Sequence, residues 1–250
     1  INVQIQLIVI VTGASSGIGA STAVLFSKEQ ANVVIVGRNE EKLKMVTAQC
    51  EEVGNKPLVI KADVSVDKDA NTIINKTIEK FGKIDILINN AGFIRLGSIL
   101  DGSFLDIYES LAQTNLKAVI RLTTLAAPHL IKTKGNIINI SSAGGKKVIS
   151  PEFGPYGLSK AGLNFFSYTA ALELAPHGVR VNTISPGPVY TDIWENAKED
   201  HNVLKNINLK VPLDRISVSE EIANLILYVA SDKAVSVTGS NYVADNGFLL

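Results

Sequence analysis

LIVIVTGASSGIG, residues 7–19, is an apolar run followed by a turn that contains three glycines. The run lacks polar alternation, as expected for a strand that is covered on both faces. Glycine at 13 permits a tight turn, glycine at 17 lets backbone approach a pyrophosphate, and glycine at 19 lets the next helix pack near the strand. Because a helix start presents free N–H groups to anions, this pattern predicts a dinucleotide phosphate site. The expected contacts are Gly13, Ser15, Ser16, Gly17, Ile18 and Gly19.

The rest of the chain alternates between apolar, β-branched runs and longer amphipathic stretches. The further runs are 33–36, 58–60, 84–88, 137–140, 179–181 and 242–243. The helical patterns cover 17–30, 40–54, 67–81, 104–133, 156–176 and 218–231. This alternation predicts an α/β fold, a doubly wound parallel sheet with helices on both faces. Ligands of such sheets bind at the carboxyl ends of the strands, where the strand order reverses.

The composition disfavours several classes of protein. The 24 basic and 24 acidic residues balance, so we expect neither a nucleic-acid partner nor an anionic membrane surface. No apolar run approaches the roughly 20 residues that span a bilayer. The single cysteine, Cys50, cannot form an intrachain disulfide and fits a cytoplasmic protein. The three histidines lack carboxylate or cysteine partners at metal spacing, so no metal site is predicted at His129, His177 or His201.

Tyr156 and Lys160 are four residues apart in a predicted helix, which puts both side chains on one face. A phenol with a pKa of about 10 is a poor base near neutrality, and a nearby ammonium lowers that pKa. Ser142 follows the run 137–140, so its hydroxyl is expected at the carboxyl edge of the sheet, where it can donate to a substrate oxygen. Ser141 is the alternative for this position. Asn115 lies within a helical pattern, where asparagine has poor propensity.

These motifs resemble those of the classical short-chain dehydrogenase/reductase family over nearly the whole chain. They follow the family's order and close to its spacing: 12–19, Asp63-Val64, 89–92, Asn115, Ser141-Ser142, 156–160, Pro186-Gly187 with Thr191, and 245–247. The resemblance implies one Rossmann-like domain over residues 1–250, with about seven parallel strands in a three-layer α/β/α arrangement. It also implies NAD(P)-dependent interconversion of carbonyls and alcohols in a homotetramer or dimer. Gly157 and Leu158 depart from the serine and alanine that often follow the tyrosine.

The resemblance also implies roles for individual residues. Catalysis is assigned to Asn115, Ser142, Tyr156 and Lys160. Tyr156 exchanges the proton, Lys160 also holds the nicotinamide ribose, and Asn115 anchors a water that relays protons to the lysine. Asn89 is expected to link strands through side-chain hydrogen bonds. The further cofactor contacts are Arg38, Asn39, Asp63, Val64, Asn90, Ala91, Gly92, Tyr156, Lys160, Pro186, Gly187, Val189 and Thr191.

The end of the second strand predicts that the cofactor is NADP(H). In NAD-preferring enzymes of this fold, an acidic residue at this place accepts hydrogen bonds from the adenosine ribose. Gly37 holds that position here, and Arg38 offers a planar guanidinium suited to a 2′-phosphate. Ser15 adds a hydroxyl donor. Glu40 and Glu41 are expected in the first turn of a helix, pointing away from the phosphate.

The substrate is expected to be a small carbonyl or alcohol with an apolar or amphipathic body, of steroid, retinoid, acyl or aromatic type. The segment 189–209 is predicted to cover the pocket. The predicted lining is Phe93, Ile94, Val148, Ile149, Phe153, Val189, Tyr190, Ile193, Trp194 and Leu204. Open alternatives are a 3-oxoacyl- or sugar-specific reductase, an epimerase or dehydratase, and a catalytically silent dinucleotide-binding scaffold or regulator.

Overall fold

The computed structural model describes residues 6–193 and 211–250, in which strands and helices alternate. The elements are β1 Ile8–Thr12, α1 Gly17–Lys28, β2 Asn32–Gly37, α2 Glu40–Val53, β3 Leu58–Lys61, α3 Asp67–Phe81, β4 Ile86–Asn89, α4 Phe104–Ala112, α5 Ala118–Thr133, β5 Asn136–Ile140, α6 Gly154–Leu174, β6 Arg180–Pro186, α7 Ser219–Ala230 and β7 Asn241–Ala244. None of these helices is long and apolar enough to cross a membrane.

The strands form one sheet in the order β3-β2-β1-β4-β5-β6-β7. Every neighbouring pair is parallel. Val9 of β1 lies opposite Val33 of β2 on one side and Ile86 of β4 on the other. The chain therefore builds outward from β1 in one direction and from β4 in the other. The predicted doubly wound parallel sheet is confirmed, and its order reverses between β1 and β4.

Alternate residues of β1 point to opposite faces of the sheet, and both faces are covered. Ile8 and Ile10 belong to an apolar cluster with residues of α3, α5 and α6. Val9 and Val11 belong to a second cluster with residues of α1, α2 and α7. All of β1 is buried, which is why its sequence carries no polar alternation. The three-layer arrangement of helices, sheet and helices is confirmed.

The prediction of one continuous helix over 104–133 was wrong. α4 ends at Ala112, α5 begins at Ala118, and a π-helical turn, Gln113–Lys117, joins them. Asn115 lies inside this turn and is fully buried. Its side chain pairs with the backbone of Phe93 rather than facing solvent. A single extra residue in a turn leaves the apolar pattern on either side intact. The periodicity of the sequence therefore does not reveal this break.

The sixth strand is longer than the apolar run 179–181 predicted. β6 extends to Pro186, and its polar residues are buried together with the apolar ones. Asn182 donates to the carbonyl of Val237 at 2.9 Å and accepts from the amide of Ser240 at 3.1 Å. These bonds offset the cost of burying a polar side chain, so the strand continues where hydropathy alone indicates its end.

Candidate active site

The glycine turn after β1 is held against the turn after β4. Gly13 has a φ of +64°, a conformation that glycine adopts without strain. The side-chain amide of Asn90 donates to the carbonyls of Thr12 at 2.9 Å and Gly13 at 3.2 Å. The Thr12 hydroxyl in turn accepts from the amides of Asn90 and Ala91, both at 3.0 Å. The two turns at the point of strand reversal therefore form one rigid unit.

The start of α1 opens onto this unit and suits an anion. Ser16 precedes the helix without capping it through its side chain, and the first turn contains no acidic residue. The free N–H groups and the helix dipole therefore remain available to phosphate oxygens. A Cβ built at Gly19 would lie 2.3 Å from the Gly13 carbonyl oxygen, so only glycine permits this approach of helix and turn.

A cavity of about 170 Å³ lies along the turn and continues across β2 and β3. Its walls contain most of the predicted cofactor contacts, namely Gly13, Ser15, Ser16, Gly17, Ile18, Arg38, Asp63, Val64, Asn90, Ala91, Gly92 and Thr191. Gly19 and Asn39 do not line it. Gly19 instead packs the helix against the turn, and the Asn39 side chain caps α2 by accepting from the Lys42 amide at 3.0 Å.

Arg38 and Asp63 form an ion pair at the edge of this cavity. Nη1 of Arg38 lies 3.5 Å from Oδ2 of Asp63, and the arginine side chain is 73% exposed. Burial raises the pKa of the Asp63 carboxyl, but hydrogen bonds from Ser65 and the charge of Arg38 outweigh it, so the pKa lies below its ordinary value. The guanidinium therefore lies largely in solvent at the rim of the cavity.

A second cavity, of about 430 Å³, shares walls with the first and is lined by Ser142, Tyr156 and Lys160 of the predicted catalytic set. Tyr156 lies in the first turn of α6 and Lys160 one turn later, and both are at least 94% buried. Nζ of Lys160 donates to the Ile140 carbonyl at 2.9 Å and lies 5.9 Å from the centre of the tyrosine ring. Helical spacing therefore brings the two side chains into one apolar chamber.

Ser141 and Ser142 differ in the hydrogen bonds that their hydroxyls make after β5. Ser142 lines the cavity and its hydroxyl is hydrogen-bonded to Tyr156. The same oxygen accepts from the Gly144 amide at 3.1 Å. Ser141 also lines this cavity, but its hydroxyl donates to the Lys160 carbonyl at 3.2 Å. Ser142 is therefore the serine whose hydroxyl can share an oxygen ligand with Tyr156.

Burial shifts the pKa values of both titratable groups. It raises the pKa of Tyr156, and the hydrogen bond with Ser142 acts in the opposite direction. This differs from the sequence-based expectation of a pKa lowered by the lysine, because desolvation of the phenolate is the largest influence here. Burial also lowers the pKa of Lys160 from 10.5 to about 8. The lysine can therefore gain and lose a proton near neutral pH.

The lowered pKa of Lys160 leads to a prediction for stability. Between about pH 8 and 10.5 the unfolded lysine holds a proton that the folded one has lost, so raising the pH favours the folded state. We expect Lys160→Met to be more stable than the unmodified protein near pH 7, by roughly 3 kcal/mol at most. The advantage should shrink as the pH rises through this window. Denaturant unfolding of both proteins from pH 7 to 10 measures it, and an advantage that does not change with pH would contradict it.

Asn115 lies behind the second cavity rather than in its wall. Its Nδ2 donates to the Phe93 carbonyl at 3.0 Å and to the Ser159 hydroxyl at 3.2 Å, while its Oδ1 accepts from the Phe93 amide at 3.1 Å. The Ser159 hydroxyl donates to the Tyr156 carbonyl at 2.7 Å. Asn115 thus connects the loop after β4 to the helix that carries Tyr156 and Lys160. Ser159 was missed by the sequence analysis, because its role depends on a residue 44 positions away.

The rest of the second cavity is mostly apolar. Of the predicted substrate-facing residues, its lining contains Phe93, Ile94, Ile149, Phe153, Val189, Tyr190 and Ile193. Val148 is 77% exposed and is not among them, while Trp194 and Leu204 lie outside the described residues. Pro186 and Gly187, which the sequence predicted as cofactor contacts, also line this cavity. Ile216 and Phe248 were missed, since no local motif marks the segments that carry them.

Comparisons with known proteins agree with this geometry. A family model described as enoyl-(acyl carrier protein) reductase matches residues 13–249. The 3-oxoacyl-[acyl-carrier-protein] reductase FabG of Thermotoga maritima is 33% identical over 242 residues, which cover 96% of this chain and 97% of that protein. A short-chain dehydrogenase/reductase of unknown function from Caenorhabditis elegans, solved with cofactor, is 35% identical with a TM-score of 0.88, covering 97% of this chain and 94% of that one. L-Sorbose reductase from Gluconobacter frateurii, solved with NADPH and L-sorbose, is 29% identical with a TM-score of 0.88, covering 98% and 97%.

Proposed function

We propose that this chain, which belongs to the short-chain dehydrogenase/reductase family, is an NADP(H)-dependent oxidoreductase that interconverts a carbonyl and a secondary alcohol. The observation that carries the proposal is the continuity of two cavities, one along the glycine turn and one that contains Ser142, Tyr156 and Lys160. A dinucleotide fits the first because the turn is shaped by glycines that leave no room for a Cβ. A catalytically silent scaffold would not need these three polar side chains in the second cavity.

The chemistry follows from the positions of these side chains. A bound nicotinamide supplies or takes up the hydride. Ser142 donates a hydrogen bond to the substrate oxygen and holds it beside Tyr156. In reduction, Tyr156 gives its proton to that oxygen, and in oxidation its phenolate removes the alcohol proton. Lys160, with a pKa of about 8, returns the proton to the tyrosine.

Turnover with a panel of carbonyl compounds tests the proposal. We expect NADPH oxidation, followed by its absorbance, with apolar or amphipathic ketones of steroid, retinoid, acyl or aromatic type. The mostly apolar lining favours these over free sugars. A 3-oxoacyl thioester is the second candidate, because the 3-oxoacyl reductase FabG is a relative. Binding of NADPH without turnover of any carbonyl would favour the silent scaffold instead.

The preference for NADP(H) is proposed from Gly37 and Arg38 at the end of β2. Glu40 pairs with Lys61 at 2.7 Å and Glu41 with Lys44 at 2.8 Å, and neither glutamate lines the cavity. Arg38 therefore faces the adenosine end without competition from these carboxylates. NADPH in the solved L-sorbose reductase supports this preference.

We predict that NADPH binds at least tenfold more tightly than NADH, a difference of about 1.4 kcal/mol. Gly37→Asp combined with Arg38→Ile should shift the preference toward NADH, because a carboxylate replaces the cation that suits the 2′-phosphate. Fluorescence titration of each nucleotide measures both effects, and Lys44→Gln, in the helix that follows Arg38, serves as the control. Equal affinity of the unmodified protein for NADH and NADPH would show the role of Arg38 to be wrong.

We further propose that the chain is cytoplasmic and forms a homotetramer, or failing that a dimer. The single cysteine, Cys50, is buried and fits a reducing compartment. Along α6, apolar side chains spaced by seven are exposed at Leu158, Phe165 and Leu172. Residues at this spacing share one helix face, which suits packing against a second copy. The C-terminal segment 239–250 is proposed as another contact.

Light scattering at micromolar concentration is predicted to give the mass of a tetramer or dimer. Phe165→Glu combined with Leu172→Glu should lower that mass, because both place charges on the proposed contact. Met45→Glu, at a side chain that is also mostly exposed but lies on α2, should leave it unchanged. A monomer mass for the unmodified protein would refute the assembly.

A further inference from the structure

An ion pair joins α2, the helix after Arg38, to the segment 190–192. Lys42 is the third residue of α2, and its ammonium contacts Oδ2 of Asp192. The two residues are 150 positions apart in sequence. Their side chains are 39% and 34% exposed, so water and salt screen this pair less than a fully exposed one.

Asp192 belongs to the rim of the dinucleotide cavity. It lines the cavity together with Gly17 and Arg38. Thr191, its neighbour, lies so close to the glycine turn that a Cβ built at Gly17 would be 2.9 Å from the threonine methyl. The Lys42–Asp192 pair therefore connects α2 to a segment that passes directly over the start of α1.

The same segment is fixed to α7 by different contacts. The amide of Tyr190 donates to the Ser217 carbonyl at 3.0 Å, and the Ser219 hydroxyl donates to the Tyr190 carbonyl at 3.3 Å. One side of the segment is thus held by hydrogen bonds, and the other by the ion pair. Among the hydrogen bonds and ion pairs of the described residues, only this ion pair links the segment to an element on the adenosine side of the cavity.

Lys42 also neutralises a carboxylate where phosphates are expected. Asp192 lies on the rim of a cavity whose glycine turn suits a pyrophosphate, and an unpaired carboxylate there would repel one. The other lysine in the first turns of α2, Lys44, is paired with Glu41 and is therefore not available for this task. Arg38 is likewise directed to Asp63 rather than to Asp192.

We propose that the Lys42–Asp192 ion pair is a clasp that retains the cofactor, and that both residues are positioning residues that set the rate of its release. The inference rests on the proposed function, in which a dinucleotide occupies this cavity. Cofactor departure from under the segment 190–192 requires the segment to move away from α2. The ion pair opposes that movement, and it also removes the repulsion between Asp192 and the phosphates.

Stopped-flow fluorescence tests the clasp on the intact protein. NADPH bound to the enzyme is displaced with excess NADP⁺, and the dissociation rate is recorded for the unmodified protein, Lys42→Gln, Asp192→Asn and the double variant. We expect about fivefold faster release in each single variant. Because the pair acts as a unit, the double variant should be no faster than Lys42→Gln. Lys44→Gln, on the same helix, should release NADPH at the unmodified rate.

Two further measurements separate the clasp from a merely structural role. Exchanging the charges in Lys42→Asp with Asp192→Lys should slow release relative to Lys42→Asp alone. In the unmodified protein, raising the salt concentration should accelerate release, and this acceleration should be weaker in Asp192→Asn. Thermal midpoints recorded in parallel should stay at the unmodified value.

The outcomes distinguish the clasp from the function on which it rests. Unchanged release in both single variants would overturn the clasp and leave the function intact. Slower release in Asp192→Asn with faster release in Lys42→Gln would mean that Lys42 binds a phosphate directly, which also overturns it. An unmodified protein that binds neither NADPH nor NADH would refute the proposed function itself, and the clasp with it.

Discussion

Tyr156→Phe is expected to lower turnover by about 10²- to 10⁴-fold, the usual cost of losing a general acid. The substitution keeps the aromatic ring in the apolar chamber and removes only the hydroxyl that is bonded to Ser142. Because Tyr156 is 94% buried, a smaller side chain at this position would also disturb the packing, so its effect could not be assigned to the proton donor alone. Folding and NADPH binding should be preserved, since the ring still fills its site.

The measurement is the kcat for NADPH oxidation with the best ketone of the panel, beside a fluorescence titration of NADPH. Tyr168→Phe is the matched control, because Tyr168 lies on the same helix with its side chain 44% exposed. It should keep full activity. Turnover by Tyr156→Phe within about tenfold of the unmodified protein would remove Tyr156 from the proposed mechanism.

Gly19→Ala is expected to weaken NADPH binding by roughly a hundredfold, or about 2.7 kcal/mol. The new Cβ would lie 2.3 Å from the Gly13 carbonyl oxygen and 2.5 Å from Nδ2 of Asn90. Both partners belong to the rigid unit formed by the two turns, so the helix start must move instead. That movement withdraws the helix N–H groups from the phosphates, and the overpacking also costs about 1–3 kcal/mol of stability.

Fluorescence titration and thermal unfolding measure the two effects of Gly19→Ala together. Ser21→Ala, two residues further along α1, adds no atoms and should change neither. A variant that binds NADPH as tightly as the unmodified protein would mean that the contact between helix and turn does not shape the phosphate site. Lowered stability with unchanged affinity would assign Gly19 to packing alone.

Local patterns in the sequence were sufficient for the sheet and for most of the predicted residues that line the two cavities. Residues 8–12 carry no polar alternation because both faces of β1 are buried, and this signal is visible in the sequence. The pair Tyr156 and Lys160 was found because a helical spacing of four is itself a local property. The glycine turn was found for the same reason, since its glycines stand directly between a strand and a helix.

Features that depend on contacts between distant residues required the tertiary structure. The π-helical turn at Asn115 forms where its side chain meets the backbone of Phe93, and the orientation of Ser142 toward Tyr156 follows from how β5 meets α6. Periodicity carries no information about either contact.

The pKa values and the residues of the cavity walls also required the tertiary structure. The pKa of Lys160 falls to about 8 because the fold removes water from around it, an effect that the lysine's neighbours in sequence do not determine. Phe248 lines the second cavity from the C-terminal segment, and Asp192 contacts Lys42 across 150 residues. The sequence by itself therefore determined the class of fold and the motifs on which the proposed chemistry rests, because both follow from short-range spacing. Only the tertiary structure decided burial, proton affinity and long-range pairing, because these depend on which distant surfaces the sheet brings together.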